Sequence, residues 1–240
     1  METLWSTIVE NARFLAAIAL TAAVILCIAR LGEMIWAKKP KESSNSARIV
    51  TIGMMAALAM ILQMFDFPLL FIAPGFYKLD FSEVPVLICS FAMGPVAGVT
   101  CELLKNILKV LFRGTSTAFV GDFANFAVGC SFIVPASIVY LKHKTKKMAI
   151  AGCIVGTIVI TIFGTLFNAY YLLPAFAKIY GMSMESILEM GHAIFSGFKS
   201  FDIAAFVIVC VAPMNLIKGI SVSVIVMLIY KPVSRMLHRL

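Results

Sequence analysis

The sequence has little charge and few groups able to hold a metal. Charged residues make up 13% of its 240 positions, about half the fraction in an average soluble domain. Its three histidines are scattered, and its six cysteines show no C-x-x-C spacing. We therefore expect no metal site, and we interpret the cysteines as small buried hydrophobic residues.

Hydrophobic residues are abundant instead, at 61% of the chain. Several apolar runs reach the roughly 20 residues that a helix needs to cross a bilayer. The net charge of +8 arises from Lys and Arg in short loops beside these runs, which favours a membrane over nucleic acid as the partner of the charge. The composition predicts an all-α integral membrane protein in a lipid bilayer.

The N-terminal apolar run is predicted to be a retained anchor. Its first ten residues carry no positive charge, and the run is too long for the core of a signal peptide. We expect two parts in the chain: residues 1–47 as a transmembrane anchor with a basic cytoplasmic linker, and residues 48–240 as the core with a cytoplasmic tail.

The number of spans follows from loop charge. Apolar runs cover about 12–36, 48–66, 82–112, 120–141, 149–173 and 203–230, and three Lys/Arg-rich loops follow the first, fourth and last of them. If all three loops are cytoplasmic, the 82–112 run must cross twice, and Gly94-Pro95 offers the break. This predicts a six-helix bundle plus one N-terminal helix, with the N-terminus outside and the C-terminus inside.

The most informative polar residues interrupt the last span, in "VAPMNLIKGIS". Asn215 and Lys218 are three apart and share one helical face, and Pro213 frees a carbonyl just before them. Ionisable groups at membrane depth usually face a cavity or a partner. The pair favours binding of a polar ligand, while pairing of Lys218 with a buried carboxylate is the structural alternative.

Other polar groups lie in four further segments. In "ELLKNILK" one stripe carries Glu102, Lys105 and Lys109, and we favour internal ion pairing there. The outer loops are predicted to contribute a pocket from one more set of side chains: Asp80, Glu83, Thr115, Thr117, Asp122, Asn125 and Asn168. Helix capping by Asp80 and a hydrogen bond from Asn168 to a neighbouring helix are the simpler readings. In the long segment 172–202, a short surface helix capped by Ser183 is an alternative to a loop.

These blocks, in this order, resemble one transporter family. "KLDFSEVPVLICSFAMGPVAGVTCELLKNILKVLF", "GTSTAFVGDFANFAVG", "FNAYYLLP" and "APMNLIKG" are similar to the riboflavin-specific S components of energy-coupling factor (ECF) transporters, over about residues 48–231. The resemblance implies a six-helix fold that captures riboflavin from outside as a transported ligand, with no cofactor. It also implies partners: a transmembrane coupling subunit and two ATPases.

The resemblance also assigns residues. It implies flavin contacts for Asn168, Asn215 and Lys218, and less directly for the acidic and loop positions above. It further implies a docking face for the coupling subunit on the first core helix, at the small residues Gly53, Ala56 and Ala57. The N-terminal helix is an addition to the family pattern.

Two other functions remain open from the residues alone. A self-sufficient transporter would use Asp122, Glu102 or Lys218 as a proton relay. A membrane-embedded enzyme would need a nucleophile with a base or a metal motif, and none stands out in the sequence. The sequence also lacks a G-x-x-x-x-G-K-[ST] loop, so a subunit driven by ATP would depend on other chains.

Overall fold

The computed structural model describes residues 2–36, 45–115, 117–197 and 201–237, with side chains described for 16–36, 46–115, 117–197 and 201–229. Most of the predicted basic linker lies outside the described residues. The α-helices are α1 Glu2–Trp36, α2 Asn45–Met64, α3 Glu83–Met93, α4 Pro95–Arg113, α5 Val120–Lys142, α6 Lys146–Phe167, α7 Leu173–Tyr180, α8 Met184–Ile194, α9 Ile203–Phe206 and α10 Ala212–Leu237.

Five helical stretches of the described chain are long and apolar enough to cross a membrane. They are Ala16–Trp36, Ser46–Met64, Val120–Lys142, Lys146–Tyr180 and Ile203–Ile229. The α3 helix is apolar but has only 11 residues, and α4 carries four charged side chains along its length. The chain is therefore a multi-pass membrane protein built mainly of helices.

The predicted break between α3 and α4 is confirmed. The α3 helix ends at Met93, Gly94 adopts a φ of 98°, and α4 begins at Pro95. A positive φ favours glycine because a side chain would clash there, and proline suits the first helical position because its missing N–H would be unpaired anyway. Arg48 from α2 donates to the Met93 carbonyl at 3.4 Å, and Glu33 from α1 accepts from the Val96 amide at 3.0 Å.

The segment between α2 and α3 contains a small β-hairpin that the sequence did not predict. Strand β1, Phe67–Pro68, pairs antiparallel with β2, Lys78–Leu79, and Phe67 lies opposite Leu79. Two-residue strands are too short for an alternating pattern. The hairpin places Tyr77 directly before strand β2 and Asp80 directly after it.

Two π-helical turns interrupt the long helices, and each turn ends two residues before a proline. Asn168–Leu172 lies between α6 and α7, and Val207–Val211 lies between α9 and α10. Each turn closes with an i→i−5 bond, from Leu173 to the Asn168 carbonyl and from Ala212 to the Val207 carbonyl. In both cases the residue that follows this backbone donor is proline, at 174 and 213.

Proline explains the position of these turns. Each ring lacks a donor and would collide with the carbonyl four residues earlier, so the helix widens there instead of ending. The predicted span to residue 173 therefore continues as helix to Tyr180. Pro213 was predicted to free a backbone carbonyl in its helix. The second π turn is the corresponding change in backbone hydrogen bonding.

The core lies among α2 to α6 and α10. Phe91 stacks on Tyr140 with ring centroids 4.5 Å apart, and both side chains are buried. The additional helix α1 packs on α4 and α5 through a smaller cluster around Ala29 and Val99. The predicted surface helix is present as α8, and Ser183 caps it by accepting from the Ser186 amide.

Candidate functional site

A cavity of about 520 Å³ opens between the hairpin, the start of α5 and the two π turns. Its volume is in the range typical of small-molecule sites, about 300–1,000 Å³. Six of the eight residues predicted from the sequence as ligand contacts line this cavity: Asp80, Thr117, Asn125, Asn168, Asn215 and Lys218. Glu83 and Thr115 do not line it.

The amides Asn168 and Asn215 lie on one side of the cavity. Asn168 begins the first π turn; its Nδ2 donates to the Gly164 carbonyl at 2.7 Å, and its Oδ1 accepts from the Tyr77 hydroxyl at 2.7 Å. Asn215 packs against Gly164, where an added Cβ would approach the Asn215 Nδ2 to 2.6 Å. The Asn215 amide makes no hydrogen bond to the described residues, so its donors and acceptor remain available to a ligand.

Lys218 lies beside two carboxylates. Its Nζ is 3.2 Å from Asp80 Oδ2 and 3.0 Å from Glu83 Oε1. Pairing with a carboxylate, the structural alternative for this lysine, is therefore present together with a position on the cavity wall. Glu83, which begins α3, contributes to the site through Lys218 rather than directly.

Lys105 holds a second, fully buried set of oxygens. Its side chain is 0% exposed, and its Nζ is 2.6 Å from Glu102 Oε1 and 3.4 Å from Glu83 Oε1. Asn106 also donates to Glu102 Oε1 at 3.2 Å. The predicted ion pairing within the α4 stripe is confirmed for Glu102 and Lys105.

Lys109 departs from that prediction, because its partner is on another helix. Its Nζ lies 2.5 Å from Asp122 Oδ1 on α5. At the mouth of the cavity, Asp66 pairs with Lys78 and Arg113, each at 3.3 Å. Opposite charges thus join the hairpin, α4 and α5 around the opening.

The threonines order the loop before α5. Thr115 Oγ1 accepts from the Phe119 amide at 3.0 Å, and Thr117 Oγ1 accepts from the Gly121 amide at 2.9 Å. Ala118 and Phe119 both have positive φ, a strained conformation that these hydroxyl bonds help to hold. Thr115 acts on the loop, and only Thr117 reaches the cavity.

Two groups beside the cavity have shifted pKa values. Burial acts to raise the pKa of Asp80, but the Lys218 and Lys105 ammonium groups and hydrogen bonds from Ser82 outweigh it and lower that pKa below its usual value. Burial raises the pKa of Tyr77 well above its usual value. Asp80 is therefore ionised and Tyr77 neutral at physiological pH.

The predicted docking residues divide between two faces of α2. Gly53 has open space where a side chain would be, and Ala57 is one turn further on the same face, among the exposed Val50, Met54, Leu58 and Ile61. Ala56 is 0% exposed and belongs to the core cluster. This burial removes Ala56 from the outer face.

Sequence reasoning missed several residues of the site. Tyr77 was not among the predicted residues, yet its hydroxyl donates to Asn168 Oδ1. Asp66 and Arg113 carried no local signal, because their pairing joins positions 47 residues apart. Leu172 and Phe176 line the apolar part of the cavity. Their spacing in the sequence is that of ordinary apolar residues on a membrane helix, so it did not indicate a ligand site.

Known proteins match this chain over most of its length. A family model described as the ECF transporter substrate-specific component matches residues 47–230. The chain is 35% identical over 203 residues to the riboflavin transporter RibU of Staphylococcus aureus, covering 85% of this chain and 98% of that protein. It is 29% identical over 184 residues to the riboflavin transporter FmnP of Bacillus subtilis, covering 76% and 90%.

A solved structure gives the same result. The S component of a bacterial ECF transporter is 35% identical to this chain, with a TM-score of 0.61, and the match covers 81% of this chain and 99% of that one. The resemblance seen in the sequence is thereby confirmed.

Proposed function

The chain belongs to the family of ECF transporter substrate-specific components, and from this premise we propose that it captures riboflavin and delivers it to an ATP-driven coupling module. Two relatives that it matches over most of their length are named riboflavin transporters. The protein acts as a binding subunit rather than an enzyme, and riboflavin is its transported ligand rather than a cofactor.

One observation carries the ligand proposal: polar side chains from two distant helical segments, around Asn168 and around Asn215, line one cavity that also has aromatic walls. Asn168, Asn215 and Lys218 supply donors and acceptors, and Phe76 and Tyr77 add aromatic rings. A flavin has a planar ring edged with acceptors and donors and a chain of hydroxyl groups. Amides, an ammonium group and flat rings are complementary to both parts.

The eight predicted site residues have different roles in this proposal. Asn168, Asn215 and Lys218 contact the flavin, and Asp80, Thr117 and Asn125 complete the wall. Glu83 positions Lys218, from which it is 3.0 Å away. Thr115 shapes the loop through its hydrogen bond to Phe119.

The energy for import comes from partners. The partners in this proposal are a transmembrane coupling subunit and two ATPases, and the outer face of α2 at Gly53 and Ala57 is the docking surface for the coupling subunit. Small residues allow close approach of a second helix within a bilayer. The open space beside Gly53 supports this assignment.

The membrane arrangement in this proposal has seven spans. The α1 helix is the anchor, and six core spans follow in residues 48–240, with α3 and α4 as two short crossings joined at Gly94-Pro95. The N-terminus is outside and the C-terminus is cytoplasmic. Short Lys/Arg-rich loops beside the spans support this orientation.

A self-sufficient proton-coupled transporter is the less favoured alternative. Its three candidate relay groups are all in ion pairs: Glu102 with Lys105, Asp122 with Lys109, and Lys218 with Asp80 and Glu83. Uptake in vesicles separates the two functions. We expect uptake to require ATP and the coupling module; accumulation driven by a pH gradient without them would contradict the proposal.

Binding itself is tested with the detergent-purified protein. We expect a flavin absorption spectrum from co-purified ligand, or saturable one-to-one quenching of riboflavin fluorescence on titration. Thiamine, which lacks the flavin ring, serves as a competitor that should not displace it. A colourless protein that leaves riboflavin fluorescence unchanged would remove riboflavin as the ligand.

A further inference from the structure

Lys105 does not line the cavity, yet it touches groups from two other helices, at the start of α3 and on α5. Its Nζ donates to Ser82 Oγ at 2.9 Å and to Asn125 Oδ1 at 3.2 Å, in addition to its ion pairs with Glu102 and Glu83. A lysine buried among so many acceptors, with no exposure, is held in one place. Its ammonium group therefore holds the side chains that it contacts in fixed positions.

The contact with Asn125 has a chemical consequence. An ammonium group has donors and no acceptor, so it must face the oxygen of the Asn125 amide rather than the nitrogen. The Asn125 side chain also lines the cavity. With Oδ1 held by Lys105, Nδ2 is the end left for a ligand, and it donates to none of the described residues.

We propose that Lys105 is a positioning residue for ligand selection: it orients the Asn125 amide so that this part of the cavity offers a hydrogen-bond donor. The bound molecule then presents an acceptor here, such as a ring carbonyl, a ring nitrogen or a hydroxyl oxygen. This inference rests on the proposed function and adds the polarity of one contact to it.

Glu83 connects this arrangement to Lys218. The same oxygen, Glu83 Oε1, lies 3.4 Å from Lys105 Nζ and 3.0 Å from Lys218 Nζ. Lys105 thus sits behind two elements of the wall, Asn125 on α5 and the Glu83–Lys218 pair between α3 and α10. Its removal should change ligand affinity without removing any ligand contact of its own.

The test is a double-mutant cycle on the riboflavin dissociation constant. Lys105→Met alone would leave buried carboxylates unpaired, so Lys105→Met is combined with Glu102→Gln, which leaves the net charge of the cluster unchanged and keeps an acceptor for Asn106. The reference for this cycle is Glu102→Gln alone. Asn125→Ala is then added to each background.

We expect Asn125→Ala to weaken riboflavin binding about tenfold when Lys105 is present, which is typical for loss of one hydrogen bond at a well-ordered site. In the Lys105→Met/Glu102→Gln background it should weaken binding less than about threefold, because the amide is no longer held. Equal effects in both backgrounds would mean that Lys105 has only a structural role and would overturn the proposal.

Asn125→Asp tests the donor independently and leaves Lys105 in place. A carboxylate has no hydrogen to donate, so we expect binding at least as weak as in Asn125→Ala. Affinity equal to that of the wild type would show that an oxygen faces the ligand and would overturn the inference. A wild-type protein that does not bind riboflavin would instead overturn the proposed function, and this inference with it.

Discussion

The two sides of the cavity use different polar chemistry. Near α3 and α4 the groups are charged and already bonded to each other: the carboxylates of Asp80, Glu83 and Glu102 surround Lys105 from α4 and Lys218, which reaches them from α10. On the side of α6 and α10, the groups are amides. The Asn168 amide makes two hydrogen bonds, one to the Gly164 carbonyl and one from the Tyr77 hydroxyl, and the Asn215 amide makes none to the described residues.

This difference follows from the cost of burying charge. A charged group in a membrane protein must find an opposite charge or an acceptor within the fold, so the charged side fixes how its helices pack. A neutral amide costs less to leave open, and it can donate and accept. We infer that the amides contact the ligand most directly, while the charged side mainly holds the helices in place, and that Lys218 takes part in both tasks.

The largest effect is expected where the two sides meet, at Lys218. Lys218→Met should weaken riboflavin binding about ten- to hundredfold, and it should also lower stability by about 1–3 kcal/mol because Asp80 loses its ammonium partner. Fluorescence titration and a thermal melt in detergent measure the two effects. Lys178→Met, at an exposed position on α7, is the control, and an unchanged dissociation constant in Lys218→Met would show that this lysine is structural only.

Asn215 should separate binding from stability. Asn215→Ala is expected to weaken riboflavin binding about tenfold with little change in melting temperature, since its amide bonds to none of the described residues. Ser221→Ala, on the same helix but away from the cavity lining, is the matched control. A large loss of stability with normal affinity would reverse the roles that we assign to the two sides.

Tyr77→Phe should have a smaller effect. The change removes only the hydroxyl that bonds Asn168 Oδ1 at 2.7 Å, a hydrogen bond worth about 0.5–1.5 kcal/mol, or roughly two- to tenfold in affinity. The control is Tyr170→Phe, since Tyr170 lies in the same π turn as Asn168 but is 83% exposed. Identical affinities in wild type and Tyr77→Phe would show that the Asn168 orientation does not depend on Tyr77.

The smallest effect is expected from pH. The pKa of Asp80 is lowered, so the stabilisation from its charge is present above its unfolded pKa of about 4 and is lost only as pH falls through the folded value. The pKa of Tyr77 is raised, so its hydroxyl stays protonated. Riboflavin affinity should therefore be flat from about pH 6 to 8.5; a tenfold change within that window would point to a titrating group and favour the proton-coupled alternative.

Local signals in the sequence predicted local features well. The Gly94-Pro95 break, the Ser183 cap and the Glu102–Lys105 pair all depend on neighbours within one turn or one junction. The fold class, including the membrane helices, followed from apolar runs of sufficient length. Family resemblance supplied the ligand, which no single local pattern contained.

Features set by packing between distant segments were not predictable in this way. Lys218 meets Asp80 across 138 positions, and Lys109 pairs with Asp122 on the next helix rather than within its own stripe. Proline is a local signal at both π turns, but a proline alone does not tell whether a helix ends there or continues through a wider turn. Ala56 was assigned to the outer face because small-residue spacing does not tell which side of α2 meets the core.

The most direct test of this account is an experimental structure of the protein with riboflavin. We expect flavin density in the cavity, with ring or hydroxyl atoms within hydrogen-bond distance of Asn168, Asn215 and Lys218. The Lys105–Glu102 ion pair should be unchanged. Flavin bound elsewhere, or bound in the cavity through the buried charges of Lys105 and Glu102 while the amides stay empty, would contradict it.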